Sequence, residues 1–226
     1  MDIFAGIVFS VPFHRCSKIM STVYLSTAYL APVAYYKALC RYDRTVIEAC
    51  SHYVKQSYRN RCTIMSAGGE LSLSIPVERT RPGKPFTRDM RISAHDNWQH
   101  IHWNAIASAY GSSPFFEYYR DDFVPFYEKS QSGRFLLDYN NDLQEMVCRL
   151  LGIASDISYS ENYLSPTDDI TDLREAIGPK REPVISLLPR PYYQVFSMKW
   201  GFSPGLSIID LLFNMGNEAL LVLYDR

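Results

Sequence analysis

The segment from Arg61 to Val77 leaves its fold little freedom. Arg61–Met65 carries the β-branched pair Thr63 and Ile64 and leads into Ala67-Gly68-Gly69; Leu71, Leu73 and Ile75 then alternate with Ser72 and Ser74. Apolar residues at every second position share one face of a strand, and glycines admit the backbone angles of a tight turn, so the segment reads as a β-hairpin with one buried face. Pro76 lacks a backbone donor and sets an edge position or a strand end there. A chain with such a hairpin must cover its apolar face, and the surrounding sequence supplies the cover. Thr22–Ser26 and Arg44–Ala49 read as strands, and Met90–Ser93 as a short one. Pro32 opens a helix through Leu39, and Asp96 or Asn97 caps one reaching Tyr110. Pro114–Lys129 reads as a further helix with Pro125 as a kink or early stop. Phe135–Leu151 is amphipathic with Gly152 just past its end. Tyr159–Pro191 is turn-rich and charged, a flap or surface subdomain without assigned elements.

This order implies an α/β fold, a single compact domain in which a mixed sheet from the N-terminal half packs with helices from the middle and C-terminal parts. Residues 20–226 are expected to form the domain and residues 1–19 an extension. Ile3–Phe13 is apolar, but Asp2 stands where an export signal carries Lys or Arg, Pro12 interrupts the run, and Met20 is the expected natural start.

The 226 residues are long enough to bury a full core, and a formal net charge of -1 gives no field for nucleic acid or a membrane surface. The five cysteines have no regular spacing, which fits reduced thiols, and no apolar run approaches the roughly 20 residues of a membrane span. A cytoplasmic location without membrane insertion is expected. No glycine-rich phosphate or dinucleotide loop, nucleophile elbow or metal-ligand spacing is present, so no cofactor and no metal are expected.

Three stretches carry chemistry. Tyr53-Val54-Lys55-Gln56-Ser57-Tyr58-Arg59-Asn60-Arg61 concentrates cations, amides and phenols. Arginine binds carboxylate or phosphate through a planar fork and lysine adds a point charge; the plain alternative is a charged, solvated edge strand. In an extended conformation Arg59 and Arg61 share one face, with Asn60 on the other. Trp98-Gln99-His100-Ile101-His102-Trp103 places Trp98 and His102 four apart on one helix face; His102 suits a general base, although a histidine packed on indole is more often structural. Ser207-Ile208-Ile209-Asp210 fits a capping box flanked by Leu206 and Leu211, with one oxygen of Asp210 left for a ligand.

Together these blocks resemble the WbqC-like family of bacterial proteins. Tyr53, Lys55, Asn60, Arg61 and Ile64 match one block of its pattern. Trp98, His102, Ile106, Tyr110, Pro114, Phe115 and Phe116 match a second, and Leu206, Ser207, Asp210, Leu211, Leu212 and Gly216 a third. The family's opening Gln-Pro-aromatic-Pro is absent: Ser26, Thr27, Tyr29 and Ala31 stand there, so a ligand contact of that glutamine does not carry over to Ser26. The resemblance implies a place in surface-polysaccharide (O-antigen) biosynthesis and transfer of an acyl or aminoacyl group to an amino sugar or nucleotide sugar. On that reading Lys55 and Arg61 hold the phosphate or carboxylate of an anionic small molecule such as a nucleotide sugar. Asn60 and Tyr53 bind hydroxyls, Trp98 and Asp210 complete the binding set, and His102 deprotonates the acceptor. The alternatives are a non-catalytic binding or assembly protein of the same pathway and, more remotely, a nucleotidyl-transfer enzyme.

Overall fold

The computed structural model describes residues 19–79, 83–94, 97–167 and 169–225. The expected N-terminal extension lies outside the described residues up to residue 18, as do Asp96 and residues 80–82.

The described residues form eight strands: β1 Ile19–Ser26, β2 Tyr42–Glu48, β3 Arg61–Ser66, β4 Gly69–Ser74, β5 Val77–Arg79, β6 Met90–Ile92, β7 Asp156–Tyr159 and β8 Ile170–Asp172. The α-helices are α1 Val33–Arg41, α2 Trp98–Tyr110, α3 Phe116–Phe123, α4 Leu136–Leu151, α5 Ser197–Trp200, α6 Ile208–Met215 and α7 Ala219–Leu223. The mixed class read from the sequence is the class found. Its principal sheet is wholly parallel and runs β7-β2-β1-β8, so two of its strands come from beyond residue 150.

Parallel strands are ordinarily buried on both faces. Accordingly β1 buries Val23, Tyr24 and Leu25, and β2 buries Thr45, Ile47 and Glu48. Between them α1 is buried nearly all round, including Lys37, whose ammonium pairs with Asp225 and donates to the Leu188 carbonyl. The expected hairpin forms, with Arg61 opposite Ser74 and Ser66 opposite Gly69, and Ala67 and Gly68 as the turn. Its buried face carries Cys62, Ile64, Leu73 and Ile75, while Leu71 is exposed.

Helix boundaries follow local chemistry. Pro32 takes the N-cap of α1, and Asn97 that of α2 without a side-chain bond. Pro125 ends α3 and converts the chain to a 3₁₀ turn over Val124–Tyr127. Gly152 closes α4 in the left-handed conformation at φ 66°. Gly216, past α6, is needed for a further reason: a Cβ there would lie 2.7 Å from the Phe115 ring. The main hydrophobic core runs from Val23 and Leu39 through Ile64, Ile106 and Leu143 to Phe213.

Candidate functional site

Numbered by chain order within the parallel sheet, the strands run 3-2-1-4. The chain proceeds from β1 to one side and later returns to pair β8 on the other. In open α/β sheets, ligands bind outside the carboxyl ends of the strands where the order reverses. Here that point lies between the ends of β1 at Ser26 and β8 at Asp172, and a cleft of about 290 Å³ opens there. Its walls are the β1–α1 connection, the 54–59 loop and the 173–181 segment. Lys55, Arg59, Arg174, Lys180 and Arg181 line it, with Glu175 as the carboxylate among the described lining residues and Arg174 in turn paired with Asp172 and Glu48. In a chain of net charge -1 this is a strong local excess.

The two buried arginines differ. Arg174 makes four hydrogen bonds: Nη1 donates to Glu48 at 3.0 Å and to the Leu164 carbonyl at 2.8 Å, and Nε and Nη2 donate to Asp172 at 2.9 and 2.6 Å. Tyr24 and Tyr163 each lie 5.4 Å from its guanidinium carbon. The Asp172 hydrogen bonds raise its pKa further, and those same bonds hold Asp172 below its usual range.

Arg59 is only 4 % exposed, yet donates to one neutral partner, Ser26 Oγ, at 3.0 Å. Its charged neighbour is Glu175 at 3.6 Å, and its Nε finds no acceptor among the described residues. Burial lowers its pKa, with Glu175 opposing. Asn140 fixes the backbone beneath it, donating to the Arg59 carbonyl at 2.8 Å and to Thr27 Oγ at 3.2 Å. Opposite, Gln56 holds φ +55°, and its amide oxygen accepts from Lys180 at 2.9 Å, joining the two walls.

The residues picked out from the sequence divide into three groups. Tyr53, Lys55, Asn60 and Arg61 line a second cleft of about 630 Å³, bounded also by His52, Lys84 and Ser74. Lys55 and Gln56 belong to both clefts. Asn60 is spent structurally, donating to the Ile75 carbonyl at 2.7 Å, and Arg61 Nε donates to Ser74 Oγ at 2.9 Å. Burial pushes the Tyr53 phenol up to about 12, Arg59 and Arg61 opposing.

Trp98 and His102 line neither cleft. They meet edge-on, ring centres 5.1 Å apart, inside an aromatic cluster with Tyr29, Tyr127 and Tyr139. His102 is 3 % exposed and its Nδ1 lies 2.9 Å from the Tyr29 hydroxyl. Burial lowers its pKa to about 4, with a hydrogen bond to the Ser74 backbone opposing, so the ring is neutral at physiological pH.

Asp210 is also buried. It does not return to the cap amide as a capping box requires; its Oδ2 accepts from Tyr192 at 2.7 Å and Gln194 at 2.8 Å. Burial lifts its pKa to about 6 against those donors. Ser207 does cap α6, accepting from the Ile209 amide at 3.4 Å. It also donates to the Leu30 carbonyl at 2.8 Å, holding the β1–α1 connection where Leu30 takes φ +41°.

Ser26, Glu175, Lys180 and Arg181 were not selected from the sequence. Their one local signal is Gly178-Pro179-Lys180-Arg181, a turn followed by two cations.

A parallel α/β sheet with a basic cleft at its order reversal defines the class. The chain belongs to the WbqC-like protein family, whose profile matches residues 27–181, more than half of its length. The match takes in the Tyr53–Ile64 and Trp98–Phe116 blocks and stops before the Leu206–Gly216 block. The uncharacterized protein Rv1507c of Mycobacterium tuberculosis (strain ATCC 25618 / H37Rv) is 26% identical over 209 residues, spanning 82% of this chain and 89% of that protein. No solved structure matches. No helix among the described residues is long and apolar enough to cross a membrane.

Proposed function

We propose that the cleft at the ends of β1 and β8 binds the phosphate-bearing part of an activated donor such as a nucleotide sugar. On this reading the chain is a transferase that moves an acyl or aminoacyl group to an amino sugar or nucleotide sugar in surface-polysaccharide assembly. The observation that carries the reading is Arg59, a buried guanidinium at the order reversal with an unfilled donor and one distant, exposed counter-ion. Charge-assisted bonds from such a group are roughly twice as strong as neutral ones. A cleft of about 290 Å³ suits a phosphate-bearing group better than a whole nucleotide sugar, and the adjoining space of about 630 Å³ suits the remainder or a second substrate. Lys55, common to both, would neutralise charge at the junction. Tyr53 and Arg61 would contact the second ligand.

His102, Trp98 and Asp210 then act as positioning residues. His102 supports the hairpin wall through Ser74, and Asp210 anchors the 192–194 segment. The runner-up, a binding or assembly protein of the same pathway, draws on one observation: neither His102 nor Asp210 lines either of these two clefts.

A thermal-shift panel of nucleotide sugars, nucleotides and amino acids on the wild type, Arg59→Gln and Arg61→Ala tests this. Stabilisation by a phosphate-bearing ligand, lost in Arg59→Gln, is expected. If no such ligand raises the wild-type Tm, the donor reading falls. Acyl transfer to an amino sugar, followed by mass spectrometry, separates the enzyme from the binding protein.

A further inference from the structure

Glu175 stands between two guanidinium groups at the mouth of the cleft. Its Oε1 lies 3.6 Å from Arg59 Nη2 and its Oε2 lies 3.7 Å from Arg181 Nη2. Both separations exceed the roughly 2.7–2.9 Å of a charge-assisted hydrogen bond, so the carboxylate offsets charge without filling the donors. The side chain is 62% exposed, whereas Arg59 is 4% exposed. The guanidinium is thus fixed by its surroundings and its counter-ion is free to leave. Arg174, one residue earlier, is locked to Asp172 and Glu48, so the chain below Glu175 stays anchored when its side chain swings out.

We propose that Glu175 is a built-in counter-ion that holds the place of the ligand's anionic group and is displaced by it. The proposal rests on the reading of this cleft as an anion site and adds a ligand class. An incoming group must out-compete a carboxylate already in place. A phosphate group does so: a phosphomonoester carries about -1.5 to -2 charges at pH 7 and the diphosphate bridge of a nucleotide sugar about -2, each with several strong acceptor oxygens. A simple carboxylate exchanges like for like and gains little. Glu175 therefore selects for phosphate over carboxylate and keeps Arg59 from remaining an uncompensated buried charge in the free protein.

Calorimetric titration of the full chain with inorganic phosphate, pyrophosphate and acetate tests this, comparing the wild type with Glu175→Gln, Glu175→Asp and Arg59→Gln. Because Glu175 is exposed, its variants are expected to fold, and circular dichroism checks each one. Glu175→Gln should bind phosphate and pyrophosphate roughly tenfold more tightly and lose part of its preference over acetate. Glu175→Asp should stay near the wild type, and Arg59→Gln should lose binding. If the wild type binds phosphate and Glu175→Gln binds it no better, the displacement proposal is overturned while the anion site stands. If neither the wild type nor Glu175→Gln binds phosphate or pyrophosphate, the anion-site reading is itself overturned.

Discussion

Arg174 and Arg59 face the same cleft, are buried to nearly the same degree, and have opposite surroundings. Arg174 meets two carboxylates, a carbonyl and two aromatic rings. Arg59 meets one hydroxyl and an exposed glutamate beyond hydrogen-bond length. Burial of a guanidinium is costly unless its donors and charge are compensated. Complete compensation makes Arg174 part of the scaffold that joins β2, β8 and the 160–169 connection. Partial compensation leaves Arg59 with interaction energy to give to a ligand. The pKa directions agree: Asp172 raises that of Arg174, and burial lowers that of Arg59.

The largest effect should come from breaking the complete site. Arg174→Met leaves the fully buried Glu48 without its cation, and a loss of about 3–5 kcal/mol of folding stability is expected in denaturant titration. Glu48→Gln in that background should recover part of it, because the stranded charge is gone. A cost below about 1 kcal/mol for Arg174→Met alone would erase the distinction between the two arginines.

The interior groups away from the cleft extend the contrast through pH. The His102 ring takes a proton near pH 4 in the folded chain, against an ordinary value of 6.5. Between those values the unfolded chain binds more protons, so this group lowers stability as the pH falls, by roughly 3 kcal/mol across the window. His102→Gln should remove that loss, as stability measured from pH 7 to 4 will show. Retention of the wild-type acid dependence would mean that the histidine is hydrated rather than enclosed.

Asp210 has the opposite sign. Its folded carboxyl takes a proton near pH 6, against an ordinary 3.8, so its contribution is fully present below the lower value and is lost as pH rises through the upper one. Asp210→Asn should flatten that dependence, again worth roughly 3 kcal/mol, while preserving an acceptor for Tyr192 and Gln194. A variant whose pH profile matches the wild type would show the carboxylate to be ionised throughout.

The smallest stability effect is expected at Arg59. Arg59→Met removes a poorly compensated charge and keeps much of the side-chain volume, so stability should change by less than about 1 kcal/mol. Phosphate-induced thermal stabilisation should nevertheless vanish. Unfolding comparable to that of Arg174→Met would make Arg59 a structural residue and end the comparison.

Much of the fold was legible because local rules decide it. The alternation of Leu71, Leu73 and Ile75 and the Ala67-Gly68 turn specify the hairpin whatever it packs against. Gly152 stops α4, and Pro125 ends α3, for reasons contained within a few residues. The parallel sheet was only half legible. β7 and β8 are four and three residues long, lie in a polar stretch, and exist as strands because β2 and β1 offer them partners. The site was legible to the same degree. The run from Tyr53 to Arg61 announces itself by composition, and it does wall the two clefts. Its key member, Arg59, stood beside the residues selected rather than among them, because no local pattern shows which of three cations will be buried.

The sequence by itself determined the α/β class, the hairpin, the main helices and the position of the basic run, since periodicity, turn chemistry and charge act over short spans. Tertiary structure alone decided the strand order that brings residues 173–181 against Ser26 and the 54–59 loop. It also sent His102, Trp98 and Asp210 into the interior. Burial and pairing depend on which segments the fold brings together, from Arg174 and Asp172 two residues apart to Tyr29 and His102 at 73 and Arg174 and Glu48 at 126. Those contacts separate Arg59, with one hydrogen-bonded partner, from Arg174, with three.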